Sequence, residues 1–183
     1  MNVFMKIALT ILLTMSVMTS RAYASEVSYN SKDIVGLIDK VNQYWQGHNP
    51  THGRAFWDNA AYHTGNMEVY FLTGNKQYLD YSLAWAEHNK SKWKYSYGES
   101  DEYVLFGDYQ VCFQTYADLY NLFPEPEKIA RAREVMEYQM STDRRDYWWW
   151  ADGLYMVMPV MTKLYGITNN PLYLEKLHEY WQY

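Results

Sequence analysis

Three aspartates stand at or just after the starts of apolar helical stretches: Asp58, Asp108 and Asp152. Carboxylates that converge on one cleft can donate and accept protons, provided their environments separate their pKa values. Asp152 sits in an aromatic run, Tyr147-Trp148-Trp149-Trp150-Ala151-Asp152-Gly153-Leu154-Tyr155-Met156. A carboxyl set against indole rings loses hydration, which raises its pKa and suits it to give up a proton near neutral pH. Three consecutive tryptophans cannot share one inward helix face, so at least one lines a surface or cleft. There it would offer a flat platform to the apolar face of a sugar ring. Helix capping by aspartate is the competing reading at each position, because a carboxylate suits a helix N-terminus.

Other polar residues carry less chemistry. His63, in Tyr62-His63-Thr64-Gly65, lies inside a helix where it either reaches a ligand or is a satisfied core histidine. His48 and His52 have i, i+4 spacing, but Pro50 interrupts the helix a metal pair would need. The run Lys90-Ser91-Lys92-Trp93-Lys94, followed by Glu99, Asp101 and Glu102, reads as a solvated loop. Asn89-Lys90-Ser91 matches a short glycosylation acceptor pattern. The chain holds no glycine-rich phosphate loop, no G-x-S-x-G elbow and no Cys/His pair. Its single cysteine, Cys112, has no disulfide partner and apolar neighbours that suit a buried helix position.

The elements that must carry these residues are helices. Ile34, Leu37, Ile38, Val41 and Trp45 recur on one helical face. Further helices are expected over 57–72, 76–89, 108–122, 126–140, 152–165 and 171–182. The second ends at Gly74-Asn75, the fourth at Phe123-Pro124 and the sixth at Gly166. In the fifth, Ile129, Ala132, Met136 and Met140 face the core, and Lys128, Arg131, Glu134 and Glu137 face water. No strand-like alternation is long enough to build a sheet. A weak internal repeat pairs Leu72-Thr73-Gly74-Asn75-Lys76-Gln77-Tyr78-Leu79-Asp80 with Ile167-Thr168-Asn169-Asn170-Pro171-Leu172-Tyr173-Leu174-Glu175. The repeating unit is a helix hairpin of roughly 45–50 residues, present three times. Its first helix is apolar nearly all round and its second has one charged face. A two-layer ring demands that pattern, and an open α-solenoid is the alternative arrangement.

Composition limits the ligand. The formal charge of −5 and a pI near 5.5 disfavour a binder of phosphate backbones. Aromatic residues make up 19% of the chain, enough for both a packed core and an exposed stacking surface. Residues 1–24 read as a secretory leader, with Lys6 in a positive start, an apolar run over 7–18 and an Ala22-Tyr23-Ala24 cleavage site. The remainder, 25–183, is then an exported chain, periplasmic or secreted, with no membrane attachment once the leader is removed.

Three stretches resemble the unsaturated uronyl hydrolases, glycoside hydrolase families 88 and 105. They are Thr64-Gly65 with the corner Tyr70 to Tyr81, the run from Gly107-Asp108 through Gln114-Thr115-Tyr116-Ala117-Asp118-Leu119-Tyr120, and Trp148 to Met156 with Pro159. The resemblance implies an all-α (α/α)6 toroid of six hairpins, of which about three fit in this length. It therefore reads the chain as an N-terminal portion of a glycosidase domain, with apolar surface left exposed. It implies removal of the unsaturated uronic acid from the non-reducing end of lyase-generated oligosaccharides, with Asp152 as general acid and then base, and Asp108 assisting. Trp149, Trp150, His63 and Tyr109 are the residues expected to contact the sugar. Tyr109 stands where many relatives have a second acid, and Asp58 has no clear counterpart. No metal or organic cofactor is implied, and nucleic acid is not an expected partner. A non-catalytic carbohydrate-binding chain, or another toroid enzyme such as a lyase or epimerase, are the competing functions. The polymer is left open, with a pectin product the favoured one.

Overall fold

The computed structural model describes residues 30–49, 53–93 and 103–183. The leader at 1–24, His52 and most of the Lys90–Glu102 run lie outside the described residues. The chain divides into a unit up to Gln43 and a unit from Tyr44 to Tyr183.

The described part of the first unit is the start of helix α1, Ser31–His48. Asn30 opens it by accepting a hydrogen bond from the Asp33 N–H through its side-chain oxygen (3.0 Å). The apolar face expected to be covered is open: Ile34, Leu37 and Val41 are all exposed.

The second unit is a row of helix hairpins. Helix α2 (Trp57–Thr73) pairs with α3 (Lys76–Trp93). A 3₁₀ turn at Tyr103–Leu105 leads into a short α4 (Gly107–Gln110) and α5 (Cys112–Leu122), which pair with α6 (Glu127–Met140). A short α7 (Gly153–Met156) leads into α8 (Met158–Thr168), which pairs with α9 (Leu172–Gln182). Helices α2, α5 and α8 lie side by side as an inner layer, with α3, α6 and α9 against their outer side. No strand occurs among the described residues. The end of α1 joins this unit, where Trp45 stacks on Tyr62 at 4.6 Å.

The internal repeat is a repeat of hydrogen bonds. At the α2–α3 corner, Thr73 Oγ1 accepts from the Asn75 N–H, and Asn75 Oδ1 accepts from the Gln77 N–H. At the α8–α9 corner, Thr168 Oγ1 accepts from the Asn170 N–H, and Asn170 Oδ1 accepts from the Leu172 N–H. The residue between is left-handed in both: Gly74 at φ 69° and Asn169 at φ 55°. Glycine and asparagine are the residues that accept that conformation cheaply. Helix α8 thus runs past Gly166, the expected stop, and closes at Asn169.

The sixth expected helix is interrupted. Pro159 lacks an N–H, so no residue in the helix can supply the bond that the Tyr155 carbonyl would receive. The backbone turns at Val157 (φ −119°, ψ −38°). Gln114 on α5 fills the gap, donating its side-chain amide to the Tyr155 carbonyl (2.7 Å) and the Met156 carbonyl (3.0 Å). The equivalent step at Val111 keeps helical angles (φ −56°, ψ −32°), so α4 and α5 run nearly continuously.

The core lies between the two layers, around Trp85, Phe113, Tyr116, Leu119, Met136 and Tyr173. On α6, Ile129, Ala132, Met136 and Met140 are buried, as their spacing predicts. Lys128 is not on the wet face. It is 3% exposed, donates to the Phe123 carbonyl that ends α5 and pairs with Glu125 at 2.9 Å. A cation at a helix C-terminus offsets the dipole there. Cys112 is buried as expected, and burial pushes its thiol pKa up. Asn89 is also buried, with its amide donated to the Gly53 and Trp85 carbonyls. A glycan at that nitrogen would have to break both bonds, so the short acceptor pattern does not mark an accessible site.

His63 is part of this core. Its ring lies between Tyr81 (5.5 Å, 17°) and Trp85 (4.2 Å, 18°), and Trp85 stacks in turn on Tyr116. Asn66 donates to Ser82 Oγ, which leaves the Ser82 hydroxyl proton for His63 Nδ1 at 3.0 Å. Burial pushes the His63 pKa down to about 3. The folded state therefore holds this ring neutral, while the unfolded chain protonates it below its ordinary value of 6.5. Stability owed to the neutral ring is complete above 6.5 and is lost as pH falls toward 3, at up to about 1.4 kcal/mol per pH unit. Denaturant midpoints measured between these values should fall less steeply for His63→Gln than for the parent chain. Equal slopes would exclude His63 as the source.

Candidate active site

The N-terminal ends of the three inner strings open on one cleft of about 540 Å³. Phe56 and Trp57 reach it from the start of α2, Phe106 to Tyr109 from α4, and Tyr147 to Trp150 with Asp152 from the segment before α7. Asp108, Tyr109, Trp149, Trp150 and Asp152 all line it. Asp58 and His63 do not.

None of the three aspartates acts as a side-chain cap. Phe56 and Phe106 occupy the N-cap positions of α2 and α4, and Asp152, which precedes α7, makes no capping bond through its carboxylate. Asp58 is turned toward Arg54, four residues earlier, whose Nε and NH2 donate to one carboxylate oxygen (3.2 and 2.8 Å). Partial burial opposes ionisation of Asp58. Hydrogen bonds from Arg54 and Asn59, with the Arg54 charge, outweigh it and hold the carboxyl below the usual aspartate range. That neutralised pair leaves Asp58 out of the cleft's acid chemistry.

Asp108 and Asp152 remain. Burial first, then the negative charge of Asp152, pushes the Asp108 pKa above the usual range. Both carboxyls line the same cleft, near enough for the Asp152 charge to act on Asp108. Asp152 is exposed rather than enclosed by indole rings, and Asp108 is the partly buried member of the pair. Two glycines let the backbones approach. A Cβ on Gly153 would lie 2.8 Å from Trp148 Cβ, and one on Gly107 would lie 3.4 Å from Val157 Cγ2.

The walls are aromatic. Phe56 meets Tyr109 edge-on at 4.9 Å, and Trp149 and Trp150 lie 4.5 Å apart with their planes tilted by 36°. Both of these indoles are more than 60% exposed, available to a ligand. Trp148 borders the cleft but is anchored on its core side, its N–H donated to buried Gln110 Oε1 at 3.1 Å and its ring edge-on to Tyr180. The expectation that three consecutive tryptophans divide between core and cleft describes this arrangement. Phe56 and Trp57 are lining residues that the sequence reading missed. Their signal was aromatic character directly at the start of an inner helix, the position Phe106 occupies before α4.

His63 was expected to contact the sugar. It is 3% exposed and stacked between α3 side chains, because its position on α2 turns it toward the outer layer. His48 Nδ1 lies 2.7 Å from the Tyr44 carbonyl. Among the described residues no cluster of three or more metal-binding side chains occurs.

The sequence model of glycosyl hydrolase family 88 matches residues 33–183. The chain belongs to that family. Its helix hairpins are accordingly those of an α/α toroid. It is 26% identical to an unsaturated 3S-rhamnoglycuronyl hydrolase of Formosa agariphila, over 98% of this chain and 50% of that protein. A solved structure of a family 88 glycosyl hydrolase from Bacteroides vulgatus is 61% identical, with a TM-score of 0.75 over 84% of this chain and 47% of the other. A second solved structure, named as a polysaccharide lyase, is 72% identical, with a TM-score of 0.74 over 84% of this chain and 46% of the other. The chain thus spans about half the length of the relatives it matches.

Proposed function

We propose that the cleft removes the unsaturated uronic acid from the non-reducing end of oligosaccharides left by polysaccharide lyases. The observation that carries this reading is the pair Asp108 and Asp152, electrostatically coupled in one aromatic-walled cleft of a family 88 chain. The name of the Formosa agariphila relative supports the unsaturated glycuronyl end as substrate.

In the mechanism, a carboxylic acid gives its proton to C4 of the C4=C5 vinyl ether. The positive charge that develops at C5 and the ring oxygen makes an oxocarbenium ion. Water adds at C5 and its proton returns to the carboxylate. The resulting hemiketal opens to a C5 ketone, and the C1 hemiacetal collapses to an aldehyde, releasing the next sugar with its hydroxyl. One water is consumed per bond cleaved and the carboxyl ends as it began. Asp152 is the residue assigned to give the proton and then to activate water, with Asp108 holding ring hydroxyls or water. The raised pKa of Asp108 favours a second assignment, in which Asp108 holds the proton that is transferred. Trp149, Trp150 and Tyr109 are assigned to the sugar faces. The leader read over 1–24 makes export, to the periplasm or beyond, part of the proposal. No described helix is long and apolar enough to cross a membrane.

The relative named as a lyase makes lyase activity the second functional reading. The two differ in sign. A lyase creates the C4=C5 bond and raises ultraviolet absorbance on intact polysaccharide. The proposed hydrolase destroys that bond and lowers absorbance on lyase-generated oligosaccharides. Rhamnogalacturonan-derived oligosaccharides, as pectin products, are the first substrate to test. A fall there with no rise on the parent polymer supports the proposal, and the opposite pattern refutes it.

A further inference from the structure

Gln110 and Gln139 are fully buried. Their amides form one chain: Gln110 Nε2 donates to the Val104 carbonyl (2.8 Å) and to Gln139 Oε1 (3.2 Å), and Gln139 Nε2 donates to the Leu105 carbonyl (3.0 Å). The chain has a fixed direction. The Trp148 indole can only donate, so Gln110 must present its oxygen there and its nitrogen to the other two partners. The Gln139 backbone carbonyl accepts from the Tyr180 hydroxyl (3.0 Å), and the Tyr180 ring closes on Trp148 at 4.8 Å.

These two side chains tie together the segments that carry the cleft carboxylates. Gln110 stands two residues after Asp108 on the same short helix, and Trp148 stands four residues before Asp152. The Trp148 backbone also abuts Gly153, next to Asp152. Neither glutamine lines the cleft.

We infer that Gln110 and Gln139 are positioning residues, whose buried amide chain holds Trp148 and thereby sets the placement of Asp152 relative to Asp108. The inference rests on the proposed reading of that carboxylate pair. A fully satisfied buried amide pair admits one arrangement, whereas an apolar residue at 139 leaves a Gln110 amide hydrogen and the Leu105 carbonyl unpartnered, so that Gln110, which holds the Trp148 N–H, is free to shift.

Gln139→Met tests this, with Gln139→Asn as a milder variant that keeps an amide but falls short of Gln110. Circular dichroism establishes that each is folded. Turnover of an unsaturated uronyl oligosaccharide should fall about tenfold or more with KM nearly unchanged, as expected when reacting groups are displaced without loss of ground-state binding. The Asp108 carboxyl, followed by ¹³C NMR, should titrate closer to the ordinary aspartate range as the Asp152 charge moves away. That titration needs no turnover. If the parent chain is inactive yet the variants shift Asp108, the positioning role stands and the activity assignment falls. If a folded variant keeps the parental Asp108 titration, or an active parent's turnover survives unchanged in Gln139→Met, the positioning role is wrong.

Discussion

Asp152→Asn is expected to lower turnover of an unsaturated uronyl oligosaccharide by about 10²–10⁴-fold, the usual worth of a positioned proton donor and acceptor. The substitution is close to isosteric, and Asp152 is exposed. The backbone bonds it makes, from the Tyr155 and Met156 N–H groups to its carbonyl, survive in asparagine. Helix content and the unfolding temperature should therefore be unchanged, which separates a chemical loss from a structural one. The variant also removes the charge that helps raise Asp108, so the Asp108 titration should move down while its burial contribution remains. Asp108→Asn discriminates between the two proton-donor assignments. If Asp108 supplies the proton, its variant loses turnover at every pH and Asp152→Asn retains a measurable rate at acid pH. If Asp152 supplies it, the order is reversed.

The largest stability effect should come from Lys163→Met. Lys163 on α8 forms an ion pair with Asp118 on α5, directly between two inner helices. Asp118 is 5% exposed. Burial is the dominant influence on its carboxyl and raises its pKa, the Lys163 charge and hydrogen bond oppose that shift, and Glu68 adds to it. Removing the lysine strands a buried carboxylate, which costs about 3–5 kcal/mol. Because the folded-state pKa is raised, the folded chain binds this proton more tightly than the unfolded chain does. Stability linked to Asp118 is then highest at acid pH and falls as pH rises through its folded value. In Lys163→Met that fall should steepen, since the opposing cation is gone, and Asp118→Asn in the same chain should recover part of the loss. Thermal unfolding across pH checks both statements; a pH-independent loss in Lys163→Met would rule out the stranded carboxylate.

The layered helix pattern was legible because each inner helix is apolar on nearly all sides and each outer helix has one wet face. The corners were legible in outline, as Thr-Gly-Asn and Thr-Asn-Asn, although the hydrogen bonds that make them equivalent appear only in three dimensions. The stop at Asn169 was misplaced to Gly166 because glycine is the commoner left-handed residue, whereas asparagine fills that place here. Pro159 carried the signal for the break before α8, since a proline inside the expected helix 152–165 removes a bond one turn back. Its rescue by Gln114 depends on a neighbouring helix and could not be read locally.

The site divides in the same way. Asp108 and Asp152 share the cleft because helix starts in parallel inner helices face one end, a consequence of topology that sequence order conveys. Asp58 occupies an equivalent place in the pattern, yet Arg54 captures it, through a long side chain whose direction the spacing alone does not determine. The environment expected for Asp152 proved wrong for a related reason. Adjacent tryptophans in sequence diverge in space, so Trp148 packs on Tyr180 while Trp149 and Trp150 stay open and leave Asp152 hydrated. His63 was ambiguous from its helix alone. Its assignment to the core required Tyr81 and Trp85 of the next helix.

In the proposed reaction the cleft attacks the double bond of the substrate rather than its glycosidic carbon. Reaction of a lyase-generated oligosaccharide in D₂O, sampled early by NMR, tests it directly. One deuteron is expected at C4 of the released uronate, with loss of ultraviolet absorbance in step with release of the next sugar. Release of that sugar with the C4=C5 bond intact and C4 free of deuterium would contradict it.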